Sequence, residues 1–177
     1  MNAGTKQAVI FGGTGFIGRQ IVRKLAKRGI TVKIATRIPE SAYFLRPCGN
    51  VGQIVPVGID YKDPQSVQNV IKDADFVINC TGILSEKRRG DFQRIHTELP
   101  EIIAKACKKE KAARFVHISA LGVDKGTSRY AKARFEGEKA VKKTFPDATI
   151  LRPSIVFGPE DDFFNKFAEL SRYLPVL

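Results

Sequence analysis

The sequence predicts a doubly wound α/β domain whose sheet is parallel and covered by helices on both faces. Short β-rich runs alternate with amphipathic helical stretches, and the connections between runs are too long for hairpins. A glycine-rich turn, Gly12-Gly-Thr-Gly-Phe-Ile-Gly18, sits between the first apolar run and the first helical stretch. No internal repeat, low-complexity segment or linker interrupts this order.

Element by element, the first strand is Ala8–Phe11, a continuous apolar run suited to a strand buried on both faces. The helix after it places Ile21, Val22, Leu25 and Ala26 on one side, with Arg19, Arg23 and Lys27 recurring every four residues on another. Arg19, just after Gly18, reads as part of that solvated face or as support for a cofactor phosphate. Thr31–Ala35, Gln53–Val57, Asp75–Asn79, Arg114–Ile118 and Ala148–Leu151 supply five more strands. A second helix over Pro64–Lys72 follows Asp63, with proline in its first turn, where the missing N–H costs nothing. The third and fourth helices cover Glu98–Lys109 and Ser128–Thr144, and a last one covers Asp161–Arg172. Residues 1–160 read as one domain and 161–177 as the start of a second, largely absent lobe.

The chain has 177 residues, 43% of them hydrophobic, enough for a sizeable core and against wholesale disorder. No apolar stretch approaches the roughly 20 residues of a membrane-spanning helix. Only Met1–Gln7 precede the first strand, so a presequence is not expected. Cys48, Cys80 and Cys107 form no Cys-x-x-Cys pair and read as free thiols of a reducing compartment. His96 and His117 have no clustered second ligand type, so no metal site is expected. His117 lies in an alternating run and reads as a hydrogen-bonded core or strand-edge residue.

The glycine turn carries the first functional signal. Gly12 permits a tight turn, Gly15 lets backbone approach a pyrophosphate, and Gly18 lets helix and strand pack closely. The helix start at Thr14, Phe16 and Ile17 would then face the phosphates with its free amides and positive dipole end. This is the arrangement of a dinucleotide-binding Rossmann fold. At the end of the second strand an acid would mark NAD(H), but Thr36 stands there and Arg37 follows. A guanidinium suits a 2′-phosphate, so NADP(H) is preferred, with NAD(H) as the alternative. Asp60 and Tyr61 follow the third strand, where Asp60 either accepts from the adenine amino group or caps the next helix. Thr81 and Gly82 end the fourth strand at the carboxyl edge of the sheet, and Gly82 suggests close passage of the cofactor.

The set Gly12–Gly18, Asp60, Thr81, Gly82, Ser119 and Tyr130 resembles the short-chain dehydrogenase/reductases in their extended or atypical branch. The stretches Phe11–Gly18, His117–Gly122, Gly137–Val141 and Leu151–Phe167 are similar to one subgroup, the nucleotide-binding accessory subunits of respiratory complex I and their bacterial relatives. That resemblance implies a tightly held NADPH with no turnover required. The wider family resemblance implies a catalytic tyrosine at Tyr130, a catalytic serine at Ser119, and cofactor contacts from Ser119, Tyr130, residue 134 and Pro153. The family pairs its tyrosine with a lysine four residues on, yet position 134 is arginine. Residues four apart share a helix face, whereas Lys132 does not share it with Tyr130. With a pKa above about 12, arginine keeps a charge there but cannot relay a proton. Relatives continue past Pro153 with a smaller substrate lobe, which Phe163, Phe164, Phe167 and Leu170 would ordinarily meet.

The formal charge of +12 is concentrated on the predicted helices. It fits solvated faces that attract a phosphate-rich cofactor, or docking to a membrane complex or anionic lipid surface. Absence of tryptophan and of stacking surfaces argues against nucleic acid. Three functions follow: a non-catalytic NADP(H)-binding subunit of a complex I assembly, a working NAD(P)-dependent reductase or epimerase, or an NADP(H)-binding redox sensor. The expected location is a bacterial cytoplasm, peripheral to the inner membrane, or the mitochondrial matrix after processing.

Overall fold

The computed structural model describes residues 6–161. Its sheet has six strands: β1 (Gln7–Phe11), β2 (Thr31–Thr36), β3 (Ile54–Gly58), β4 (Phe76–Asn79), β5 (Arg114–Ile118) and β6 (Thr149–Leu151). All pairings are parallel, in the spatial order β3-β2-β1-β4-β5-β6. The chain winds outwards from β1 in one direction and then, from β4, in the other. That reversal opens a crevice above the carboxyl ends of β1 and β4, where open α/β sheets bind ligands.

Burial on both faces explains the apolar strands. Val9 and Phe11 point into one core with Val70, Ile71, Ile103 and Phe115; Ile10 points into the other with Val22, Ile34 and Leu45. The first core lies under α2 (Pro64–Ile71), α4 (Leu99–Lys109) and α5 (Arg129–Thr144). The second lies under α1 (Phe16–Lys27) and a 3-10 segment, Pro39–Cys48. Alternation along β1 thus sends successive side chains to opposite helical layers.

Local chemistry sets the helix starts. The carboxylate of Asp63 accepts from the amides of Gln65 and Ser66, and the hydroxyl of Ser128 accepts from that of Ala131. Asp60 therefore does not cap α2; its Oδ1 accepts from the amide of Lys62.

Three expectations need correction. The helix expected from Glu98 begins at Asp91, running through α3 (Asp91–Gln93) and a π turn (Arg94–Glu98) into α4. Pro100 lies inside this continuous run, and the wider π turn just before it lets the helix continue where proline cannot donate. The Pro39–Cys48 segment was not expected; its only sequence trace is Ala42 and Leu45, spaced three apart and fully buried. Strand ends shift by a residue: Gln53 and Asp75 lie just outside. Gln53 donates to the carbonyls of Ala26 and Ile30, and Asp75 accepts from the amide of Gln7. The expected Asp161–Arg172 helix, with Phe163, Phe164, Phe167 and Leu170, falls outside the described residues apart from Asp161.

Candidate dinucleotide site

Three joined cavities lie along the carboxyl edge of the sheet. The middle one, about 290 Å³, is bordered by Gly12, Thr14, Gly15, Arg37, Thr81 and Gly82. A second, about 390 Å³, continues over Phe16, Ile17 and Gly18 to Ser119, Tyr130, Arg134 and Pro153. The third, about 640 Å³, shares Arg37 and Tyr61 with the middle one and adds Asp60. Every residue expected at the site borders one of these spaces.

The glycines divide their roles by geometry. Gly12 has φ +73°, and a Cβ there would lie 2.9 Å from the Cys80 carbonyl and the Thr81 amide nitrogen. A Cβ on Gly18 would lie 2.1 Å from the Gly12 carbonyl oxygen, so α1 can approach β1 only without one. Gly15 meets no described atom nearer than 3.4 Å, which leaves space above the helix start. No side chain caps α1 and no acid stands in its first turn, so its first amides and positive dipole end face the groove. These features fit the pyrophosphate of a dinucleotide.

At the end of β2, Thr36 Oγ1 and the Ile38 backbone close a small turn at 3.3 Å. The turn exposes Arg37, which makes no hydrogen bond or ion pair with the described residues. The Tyr61 hydroxyl donates to the Ala35 carbonyl at 3.0 Å, and burial raises its pKa against the opposing charge of Arg37. Arg19 is not the solvated residue expected. It is half-buried, donates to the Thr14 carbonyl at 3.0 Å, and lies over the Phe44 ring.

At the other end, Arg134 occupies the position four residues after Tyr130. Its Nη1 donates to the Ile118 carbonyl at 2.9 Å, and its guanidinium carbon lies 5.3 Å from the Tyr130 ring centroid. A Cβ on Gly82 would come within 2.5 Å of Arg134 Nη2. The missing side chain at Gly82 therefore makes room for Arg134, a role the sequence reading assigned only to the cofactor. Ser119 donates its amide to Leu151 at 2.7 Å, which ends the β5–β6 pairing. Its Oγ is buried with no hydrogen-bond partner among the described residues, as is Arg134 Nε. Both atoms belong to residues bordering the second cavity, where ligand polar groups would satisfy them.

Two histidines frame this end. His96 Nε2 donates to the Ile83 carbonyl at 3.0 Å, and its ring stands edge-on to Tyr130. His117 Nδ1 accepts from Asn79 Nδ2 at 3.1 Å, matching the buried histidine expected. Burial first, then the charge of Arg134, pushes each imidazole down to about 4, so both are neutral near pH 7. Asn79 Oδ1 also accepts from the Thr81 amide and hydroxyl, at 3.0 and 2.5 Å. Sequence reasoning missed Asn79 and His96 as organisers. The available signals were one polar residue closing the apolar strand Phe-Val-Ile-Asn and a histidine one helical turn before Pro100.

Comparison with known proteins agrees with this geometry. Mitochondrial NADH dehydrogenase [ubiquinone] 1 alpha subcomplex subunit 9 of Rattus norvegicus is 37% identical over 96% of this chain and 45% of its own length. Ceramide reductase of Caulobacter vibrioides is 30% identical over 95% of this chain and 52% of its own. The chain thus spans about half the length of these curated relatives. Among solved structures, Pen from Bacillus thuringiensis superposes with a TM-score of 0.84, covering 97% of this chain and 59% of that one at 17% identity, a likeness of fold alone. Residues 12–162 match the family model described as NAD(P)H-binding, and the chain belongs to that family.

Proposed function

We propose that this chain is the nucleotide-holding part of a non-catalytic accessory subunit of a complex I-type NADH:ubiquinone oxidoreductase. Its cofactor is NADP(H), held for structure or sensing rather than turnover. Gly12 to Gly18 receive the pyrophosphate, Arg37 the 2′-phosphate, Asp60 and Tyr61 the adenosine end, and Thr81 and Gly82 pass beneath the middle. Ser119, Tyr130, Arg134 and Pro153 surround the nicotinamide end. The observation that carries this reading is Arg134, whose guanidinium is committed to the Ile118 carbonyl where the family has a proton-relaying lysine. The 37% identity to a mitochondrial NADH dehydrogenase subunit supports the assembly partner. The subunit would sit peripherally, on the matrix side or its bacterial equivalent; no described helix is long and apolar enough to cross a membrane.

The test is calorimetric titration of nucleotide-stripped protein with NADPH and NADH, beside Arg37→Ala. The expected result is tighter NADPH binding, loss of that preference in the variant, no carbonyl-dependent NADPH oxidation, and co-purification with complex I subunits. Equal binding of both nucleotides removes the role of Arg37, and steady turnover removes the non-catalytic reading.

A second reading is an active reductase or epimerase. It is favoured by the unpartnered Ser119 Oγ on the same cavity as Tyr130, and by 30% identity to a ceramide reductase. When bound, the dinucleotide supplies the hydride; Tyr130 would exchange the proton and Ser119 orient the carbonyl. Loss of rate in Tyr130→Phe would select this reading.

A further inference from the structure

The segment after β6 is fastened at both ends by carboxylates from or to distant helices. At its start, Arg152 Nε and Nη2 donate to Glu138 of α5 at 2.9 and 2.6 Å, and Nη1 lies 3.3 Å from Asp124. Glu138 is 5% exposed, so this anchor is largely shielded from water. At its far end, Glu160 reaches back to α1. Its carboxylate accepts from Gln20 Nε2 at 2.6 Å and from both terminal nitrogens of Arg23, at 2.5 and 3.0 Å. Arg19 Nη1 stands 3.7 Å away.

The turn that aims Glu160 is built locally. The Gly158 amide donates to Asp161 Oδ2 and the Asp161 amide to the Gly158 carbonyl, each at 3.0 Å. Gly158 packs against the Phe16 ring, where a Cβ would stand 3.5 Å from Cζ. Pro153, Ser154 and Val156, between the two anchors, and Asp161, just after the second, border the cavity that also holds Ser119 and Tyr130. The helix that Glu160 grips is the one whose first turn opens onto the pyrophosphate groove.

We propose that Glu160 is a positioning residue for the bound dinucleotide. Clamped to Arg23 and Gln20, it holds residues 153–161 as the outer wall of the nicotinamide-side cavity and thereby sets the rate at which the nucleotide leaves. This rests on the dinucleotide reading above. A paired Arg–carboxylate fork fixes direction as well as distance, which suits a wall that must not swing. The side chains involved are about 30% exposed, so the pair adds little to global stability. Local opening responds to small energies that global unfolding does not register.

The experiment measures NADPH release by stopped-flow fluorescence from the full chain, in the wild type, Glu160→Gln, Arg23→Gln and the double variant, with thermal melts alongside. Release is expected to quicken roughly three- to tenfold in each single variant. The double variant should be no faster than Glu160→Gln, which already removes the carboxylate that Arg23 grips. Salt should quicken release more in the wild type than in Glu160→Gln, because screening of the nucleotide's own phosphate contacts is common to both. Release unchanged in both singles, or lowered melting points without faster release, overturns the positioning role. A wild type that binds no NADPH overturns instead the dinucleotide reading on which it rests.

Discussion

Arg134 lies one helical turn beyond Tyr130, its guanidinium 5.3 Å from the ring centroid and tied to the Ile118 carbonyl. The pair keeps a positive charge beside the tyrosine and removes the proton relay that a lysine would supply. Space for the guanidinium comes from Gly82 on the facing loop. These three positions act together.

Gly82→Ala should therefore act through Arg134. The added methyl would lie 2.5 Å from Nη2 and push the guanidinium from its place beside the groove. Nucleotide affinity is expected to fall about tenfold, the effect of losing one well-placed charged contact. Titration of the variant with NADPH checks this; affinity equal to wild type would mean that Arg134 does not order the site.

Alanine at two glycines of one motif should have opposite consequences. Gly18→Ala places a methyl 2.1 Å from the Gly12 carbonyl oxygen and 2.8 Å from the Gly13 Cα, backbone atoms with no flexible side chain to yield. It should lower stability by about 2–3 kcal/mol in a denaturant melt. Gly15→Ala meets only one atom within 4 Å, at 3.4 Å, so the fold should survive while the methyl enters the proposed pyrophosphate groove. Folded Gly15→Ala protein that still binds NADPH as well as wild type would place the phosphates elsewhere.

Asn79 joins three backbone or side-chain groups at the crevice, holding Thr81 through Oδ1 and His117 through Nδ2. Asn79→Ala leaves the Thr81 amide and His117 Nδ1 without that partner in a buried place. The expected cost is about 1–3 kcal/mol, together with weaker nucleotide binding as the Thr81–Gly82 loop loosens. Asn79→Asp keeps the acceptor for Thr81 but not the donor for His117, so it should retain more binding than stability. Equal losses in both measures would contradict that division.

The sheet and the glycine turn were legible because each rests on local pattern. Val9, Ile10 and Phe11 are apolar in succession because the strand is buried on both sides, and Gly12 and Gly18 are bare because backbone lies against them. The organising contacts were not legible, since they join residues far apart. His96 reaches the site through a π turn that no local pattern announces. Glu160 meets Arg23 across 137 residues of sequence, and Arg19 is drawn from its apparent solvent face by the Thr14 carbonyl and Glu160. Gly82 shows a subtler limit. Its missing side chain was visible, but whether ligand or protein fills the space depends on where α5 lies.

The last prediction concerns acid. His96 and His117 are each pushed from 6.5 down to about 4, by burial and then by Arg134, with Glu138 partly opposing this at His117. Between those values the unfolded chain binds protons at these sites and the folded chain does not, so stability must fall as pH falls. Each histidine contributes a slope of about 1.4 kcal/mol per pH unit inside the window, and little above or below it. Urea melts from pH 7 to pH 4.5 should show a progressive loss beginning near pH 6.5. His117→Asn offers Asn79 a replacement acceptor near Nδ1 but has no titrating group, so its slope should be shallower by about one proton. If His117→Asn shows the same slope as the wild type, His117 takes up its proton in the fold as readily as in the unfolded chain, and burial does not hold it neutral.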